Sequence, residues 1–350
     1  MKKKSAAVRR RRVKLFFRIL LSGFIIGLFV GLLTGIFWEI KISKYNSGQT
    51  VSPTKEAHPN ESIGNLQTAP STVLPDTSPQ INAAVSITQT PVPTQELLPE
   101  TEKIYWDNTW KYADFSKIHD DVVILYRSTA QIRKNHVVAI NAGHGTPGGS
   151  NERTQCHPDG SAKVTGGSTA VGEIYATAIS EGTTFLDGTE EAAATLSLAE
   201  LLKEKLLDAG YDVLMIRDGS DVQLDNVART VMANNKADCH IALHWDSTKT
   251  DKGAFYMSVP NNAAYRAMEP VASNWESHNK LGSALVGGLK QNGVKIFSSG
   301  SMEMDLTQTS YSTVPSIDIE LGDGKSAHDD ATLGKLADGL VVGVNSYFGQ

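Results

Sequence analysis

The sequence predicts an α/β fold: a mostly parallel, twisted sheet flanked by helices on both faces, preceded by a single transmembrane helix and a disordered linker. Three observations predict it. From about residue 104 onward, short apolar runs alternate with amphipathic helical stretches, the pattern of strands joined by crossover helices. A basic block followed by an uncharged apolar run opens the chain. Between the two lies a long stretch with few bulky apolar groups.

The N-terminal elements follow from charge and length. Lys2, Lys3, Lys4, Arg9, Arg10, Arg11, Arg12 and Lys14 precede an uncharged run from Ile19 to Trp38. In helical form that run spans about 30 Å, the thickness of a bilayer core. The basic block marks the cytoplasmic side, so the remainder is expected outside the cell membrane. Trp38-Glu39-Ile40-Lys41 follows the run instead of a small-residue cleavage site, which favours an uncleaved anchor over a signal peptide. Gly23, Gly27, Gly31 and Gly35 fall on one stripe. That spacing fits close helix–helix dimerisation and equally fits ordinary membrane-helix composition. Residues from about Ser43 to Glu102 are rich in Pro, Thr, Ser, Gln and Asn, too polar to bury a core, and read as a spacer. The expected division is a basic tail over 1–14, an anchor over 15–40, a linker over 41–102 and an extracellular domain over 103–350.

Charge and cysteine content narrow the function. Eleven of the 33 basic residues and only one of the 38 acids occur up to Lys44, leaving 22 basic and 37 acidic residues beyond it. An acidic exterior disfavours nucleic acid as a partner. The two cysteines, Cys156 and Cys239, both lie on the outward side, where a disulfide between them is the first expectation. Free buried thiols come second, and a second metal site with His157 and His240 last.

Within the globular part, Tyr105, Trp106, Trp110, Tyr112 and Phe115 cluster at its entry; they read as a capping mini-core in preference to a sugar platform. Strands are expected at 122–126, 137–141, 212–217, 239–244, 255–259 and 316–321. A helix is expected over 191–209, with Leu196, Ala199, Leu202 and Leu206 on one face and Gly210 as its cap. Further helices are expected at 224–235, around Leu281, Leu285 and Leu289, and around Leu333, Leu336, Leu340 and Val344.

Four residues stand out against this frame. His144 lies between Gly143 and Gly145 after one apolar run, and His244 and Glu320 close two others. Such positions collect ligands at the carboxyl edge of a parallel sheet. Glu191 opens a helix beside Glu190, and helical phase favours Glu191 without deciding the matter. Two imidazoles and a carboxylate form the ligand set of a hydrolytic zinc site with an open position. A further carboxylate off the metal can move protons. His240, deeper on the same strand as His244, reads as a core or supporting histidine.

Gly143-His144-Gly145 after its strand, Glu191 followed by Leu196 and Ala199, Arg217-Asp218, Arg229 with Ala233-Asn234, Leu243-His244 and Pro315 to Gly322 occur in a telling order. It resembles that of the zinc-dependent N-acetylmuramoyl-L-alanine amidases of the Amidase_3 type, over roughly Val137 to Phe348. The resemblance implies zinc on His144, Glu191 and His244, with Glu320 as the catalytic carboxylate and peptidoglycan as substrate. It also selects Glu191 over Glu190. Non-catalytic wall binding on the same fold, or a zinc peptidase acting on stem peptides, are the alternatives. The chain departs from the family pattern at Asn141-Ala142, where Asp-Pro is usual, and at Ala242-Leu243-His244-Trp245, where Ser-Ile-His-Ala is common. The 46 residues between His144 and Glu191 are a long insert, expected to form a lobe or lid by the site.

Overall fold

The computed structural model describes residues 100–350. The expected tail, anchor, glycine stripe and most of the linker lie outside the described residues. Among the described residues, no helix is long and apolar enough to cross a membrane.

Eight strands build one sheet. In chain order they are β1 (Thr101–Ile104), β2 (Val123–Tyr126), β3 (Val137–Ala142), β6 (Asp212–Met215), β7 (Cys239–Asp246), β8 (Ala254–Ser258), β9 (Ile296–Glu303) and β10 (Ser316–Asp323). The order across the sheet is β1-β2-β6-β3-β7-β10-β8-β9. The four central strands, β6, β3, β7 and β10, run parallel. Towards the edges, β2 meets β6, β1 meets β2, and β8 meets β10 in antiparallel fashion, so the sheet is mixed. A separate antiparallel hairpin, β4 (Arg153–Gln155) and β5 (Tyr175–Thr177), lies in the insert.

Helices cover both faces because the central strands are apolar on both. Val138, Ile140 and Ala142 of β3 join a core with α1 (Glu191–Asp208), α4 (Val271–Gln291) and α6 (Asp330–Phe348). Ala139, between them, joins the opposite core with Ala228, Met232 and Ala233 of α2 (Asn226–Lys236). Two one-turn helices, α3 (Ala263–Ala267) and α5 (Thr307–Tyr311), complete the set. On α1 the buried stripe is Glu191, Ala194, Thr195, Leu198, Ala199, Leu202 and Leu206. Leu196 is only half-buried, one position out of the expected phase. Gly210 ends the helix at φ 94, a left-handed conformation that costs glycine little.

Two other expectations are corrected. Cys156 and Cys239 are both free and buried. Cys239 points from β7 into the helix-covered core, whereas Cys156 follows β4 in the insert, so no disulfide joins them. Leu224 belongs to the turn before α2, whose N-cap is Asp225 accepting from the Ala228 amide. The entry aromatics do form a mini-core: Tyr112 and Phe115 meet the Tyr311 ring edge-on at 5.5 and 5.2 Å. Tyr105 stays outside it, 66% exposed.

Candidate metal centre

Three adjacent strands place the site. β3 leads directly to His144, and His244 and Glu320 are register partners on β7 and β10. Partners in register project from the same face about 5 Å apart. Glu191 enters from the first turn of α1, in phase with that helix's buried stripe. Glu190 is the exposed N-cap residue, so of the two only Glu191 is packed inward.

The ligand atoms converge. His144 Nε2 lies 2.8 Å from Glu191 Oε1, and His244 Nδ1 lies 3.1 Å from His144 Nε2 and 3.2 Å from Glu191 Oε1. Ligands about 2.0–2.1 Å from a tetrahedral zinc ion are separated by roughly 3.3 Å, so this trio fits one ion with little adjustment. Among the described residues it is the only group of three or more such side chains that meets closely enough. His144 Nδ1 faces the Ser180 carbonyl at 2.9 Å. A carbonyl only accepts, so Nδ1 carries the proton and Nε2 keeps its lone pair for a metal.

Backbone groups hold the carboxylate. Glu191 accepts from the Trp245 amide at 3.0 Å and the Thr183 amide at 2.8 Å. Burial opposes its ionisation, but hydrogen bonds and charge from His144 and His244 outweigh that and hold it well below the usual range. Glu320 has the opposite setting. Burial, together with the charge of Asp318, pushes its pKa well above 4.5, and its Oε2 is buried without a hydrogen-bond partner.

The loop bearing His144 is held by two buried guanidinium groups. Arg229 donates to the carbonyls of Leu224, Ala142 and His144, to Asn141 Oδ1 and to Thr146 Oγ1, at 2.7–3.0 Å. Arg217 donates to the carbonyls of Ala142, Gly143, Ala192 and Gly219 and to Thr195 Oγ1. His144 itself sits at φ 64, a left-handed conformation that costs a non-glycine residue about 1 kcal/mol or more. Gly143 allows the close approach: a methyl group there would overlap the His244 imidazole.

The insert reaches the site through its last leg. Ser180 bonds His144 and Thr183 bonds Glu191, so two of the three ligands lean on it. Its body is anchored elsewhere. Buried Asp305 accepts from His157 Nε2 at 3.1 Å, Lys163 Nζ at 3.0 Å and the amides of Val164 and Thr165. Trp245, where the family commonly has alanine, is buried with its ring 5.8 Å from that of Phe185 in the insert. The departure at Trp245 and the long insert therefore pack on each other. Asn141, the other departure, supplies an acceptor to Arg229.

His240 stays out of the centre. Ser316 Oγ, which accepts from Gln308, lies 3.2 Å from His240 Nδ1, while His240 Nε2 is buried without a partner. Burial lowers His240 to about 3 and keeps it neutral. It is a core histidine, half-satisfied. Sequence reading missed Asp318, whose Oδ2 lies 3.6 Å from His244 Nε2. The signal was present: Ser316, Asp318 and Glu320 alternate with Ile317, Ile319 and Leu321 along β10.

Comparisons with known proteins bear on the family and the fold. The family model for N-acetylmuramoyl-L-alanine amidase matches residues 138–344. The chain belongs to that family. A solved N-acetylmuramyl-L-alanine amidase, Ami1 from Mycobacterium smegmatis, is 18% identical and shares the fold with a TM-score of 0.50, covering 63% of this chain and 99% of that one. Ami1 from Mycobacterium abscessus is 20% identical, with a TM-score of 0.49 and coverage of 62% and 99%. The Clostridium difficile 630 amidase is 18% identical, with a TM-score of 0.44 and coverage of 61% and 97%. No curated protein matches the chain.

One titration follows from this amidase site. Burial disfavours a cation at His244, but Asp318, Glu191 and Glu320 outweigh it and raise the imidazole to about 9. An unfolded histidine titrates near about 6.5. The metal-free folded chain therefore gains stability from this proton fully below about pH 6.5 and loses it as pH rises through about 9. Urea midpoints of the chelator-treated chain should fall steadily between those limits; a flat or rising profile contradicts the assignment. A metal ion bound through His244 would have to displace the same proton, so its affinity should climb with pH over the same range.

Proposed function

We propose that this amidase hydrolyses the amide joining N-acetylmuramic acid to L-alanine in peptidoglycan, using zinc held by His144, Glu191 and His244. The carrying observation is the convergence of those three side chains within 4.8 Å of one another, beside a buried carboxyl that has no other partner. When bound, zinc polarises a carbonyl and acidifies water.

Glu320 performs the proton transfers. It takes a proton from water as the oxygen attacks the lactyl carbonyl carbon. As the carbon–nitrogen bond breaks, Glu320 returns that proton to the nitrogen of L-alanine. The products are a lactyl carboxylate and a peptide with a free amine. Burial and Asp318 raise the proton affinity of Glu320, and a divalent charge at the neighbouring centre acts against that rise. The group is thereby suited both to accept a proton and to release it. Wall binding without catalysis would require no intact ligand set, yet the three ligands converge and Glu320 stands in register with one of them. The basic block at 1–14 and the uncharged run at 19–38 support placing the enzyme on the outer side of a cell membrane, tethered by its own N-terminus.

Digestion of purified peptidoglycan by the full chain, with and without a chelator, tests the reading. Released fragments should be peptides with free L-alanine amines, paired with glycan strands bearing lactyl carboxylates. The chelator should abolish their release and zinc should restore it. Cleavage confined to bonds within the stem peptides would establish the peptidase instead.

A further inference from the structure

We propose that Asp318 is a positioning residue, whose carboxylate accepts a hydrogen bond from the Nε2–H of His244, keeps the proton there and thereby reserves Nδ1 for the metal. The inference rests on the zinc reading above and deepens it.

The two nitrogens of His244 face different neighbours. Nδ1 points to His144 Nε2 at 3.1 Å and Glu191 Oε1 at 3.2 Å. Nε2 points to Asp318 Oδ2 at 3.6 Å. A neutral imidazole carries one proton on its two nitrogens, and only the bare nitrogen can ligate a metal. Whatever fixes the proton on Nε2 therefore makes Nδ1 the ligand.

Asp318 is the group placed to do so. Its side chain is 15% exposed, and among the described residues no hydrogen bond reaches either of its oxygens. Oδ1 is buried and unpartnered. A buried carboxylate without donors is costly, and the ring of His244 offers it one. The observed separation is an ion-pair distance, about half an ångström beyond a good hydrogen bond, so a small side-chain rotation closes it. The strand explains why the pair meets: Asp318 precedes Glu320 by two residues on β10, and Glu320 is the register partner of His244. Asp318 therefore projects from the same face as His244, one step deeper. The other ligating histidine already has such a partner in the Ser180 carbonyl. With Asp318 the arrangement becomes symmetrical: each imidazole presents one nitrogen to the metal and donates from the other.

The test uses Asp318→Leu and Asp318→Asn in the full chain, with zinc affinity read by competition against a chromophoric chelator. Loss of an outer partner to a ligating histidine typically costs about 10–100-fold in metal affinity. Asp318→Leu should fall in that range. Asp318→Asn keeps an acceptor oxygen and should lose less, which also covers the case that the leucine variant does not fold. Long-range proton–nitrogen correlation spectra of the zinc-loaded wild type should place the His244 proton on Nε2. A proton on Nδ1 overturns the proposal. So does zinc affinity within twofold of wild type in both variants, even if turnover falls, because Asp318 would then act on substrate and not through His244. If the wild type itself bound no zinc, the underlying metal reading would fail, and that outcome is distinct from either of these.

Discussion

Glu320→Gln should leave zinc bound at wild-type affinity and lower turnover by about 100–10,000-fold, the usual contribution of a positioned general acid–base group. The substitution is nearly isosteric and keeps a polar head, so packing at the end of β10 is preserved. What disappears is the capacity to take a proton from water and return it to the amine. Glu320 is no part of the ligand trio: the convergent atoms belong to His144, Glu191 and His244. Its Oε2 has no protein partner, so no hydrogen bond at that oxygen is lost on amidation. Two measurements on the same protein decide the matter, stoichiometric zinc by elemental analysis and the rate of lactyl-carboxylate release. Full activity would remove Glu320 from the mechanism, and loss of zinc would make it a ligand instead.

The parts of the site that were legible in the sequence share a physical reason. His144, His244 and Glu320 each end a short apolar run, and local hydrophobicity is enough to place a strand and its carboxyl end. Glu191 was legible through helical phase, although Leu196 was put on the buried face in place of Leu198. The same logic found the four central strands, because each carries a short cluster of apolar residues, continuous in β3 and β6 and alternating with polar ones in β10. It missed β9, whose Ile-Phe-Ser-Ser-Gly-Ser-Met-Glu sequence is an edge strand with three of its eight residues exposed, only one buried, and left-handed backbone at Ser298 and Gly300. It missed β1 and the β4–β5 hairpin, three or four residues each, which are too short to show a period.

What remained hidden depends on long-range contacts that no local pattern encodes. Ser180 and Thr183 lie in an insert without periodicity, yet one fixes the proton on His144 and the other holds Glu191. Arg217 and Arg229 could be noticed as part of a family order, but their role lies in carbonyl groups donated by distant segments. The expected disulfide failed for a related reason. Outward location makes a disulfide chemically possible, but Cys239 is consumed by the core beneath β7.

Arg229→Met should destabilise the fold by about 3–5 kcal/mol and weaken zinc binding as well. Arg229 is 1% exposed and forms no ion pair within salt-bridge reach among the described residues, although the charge of Asp225 favours its cationic form. Burial lowers its pKa to about 9, still cationic at neutral pH. Burying that charge costs several kcal/mol, and five acceptors on the β3 exit and the start of α2 offset the cost. Methionine fills much of the volume and removes the buried charge, which recovers part of the desolvation cost. It also leaves Asn141 Oδ1 and the His144 carbonyl without a donor, at about 1–3 kcal/mol for each that water does not reach, whereas the Ala142 carbonyl keeps Arg217 and the Leu224 carbonyl keeps Thr146. The groups left without a donor outweigh the recovered charge, since Asn141 and His144 are both buried. Arg229→Lys keeps the charge but offers three donors on a flexible stem, so it should fall between methionine and wild type. The effect on zinc follows from geometry. Arg229 Nη2 holds the His144 carbonyl at 2.7 Å, and that residue's left-handed backbone relaxes once the grip is gone. Urea midpoints and zinc competition on the three proteins measure both effects. A methionine variant within 1 kcal/mol of wild type, by the usual scale of surface substitutions, would show that the loop holds its shape without the guanidinium.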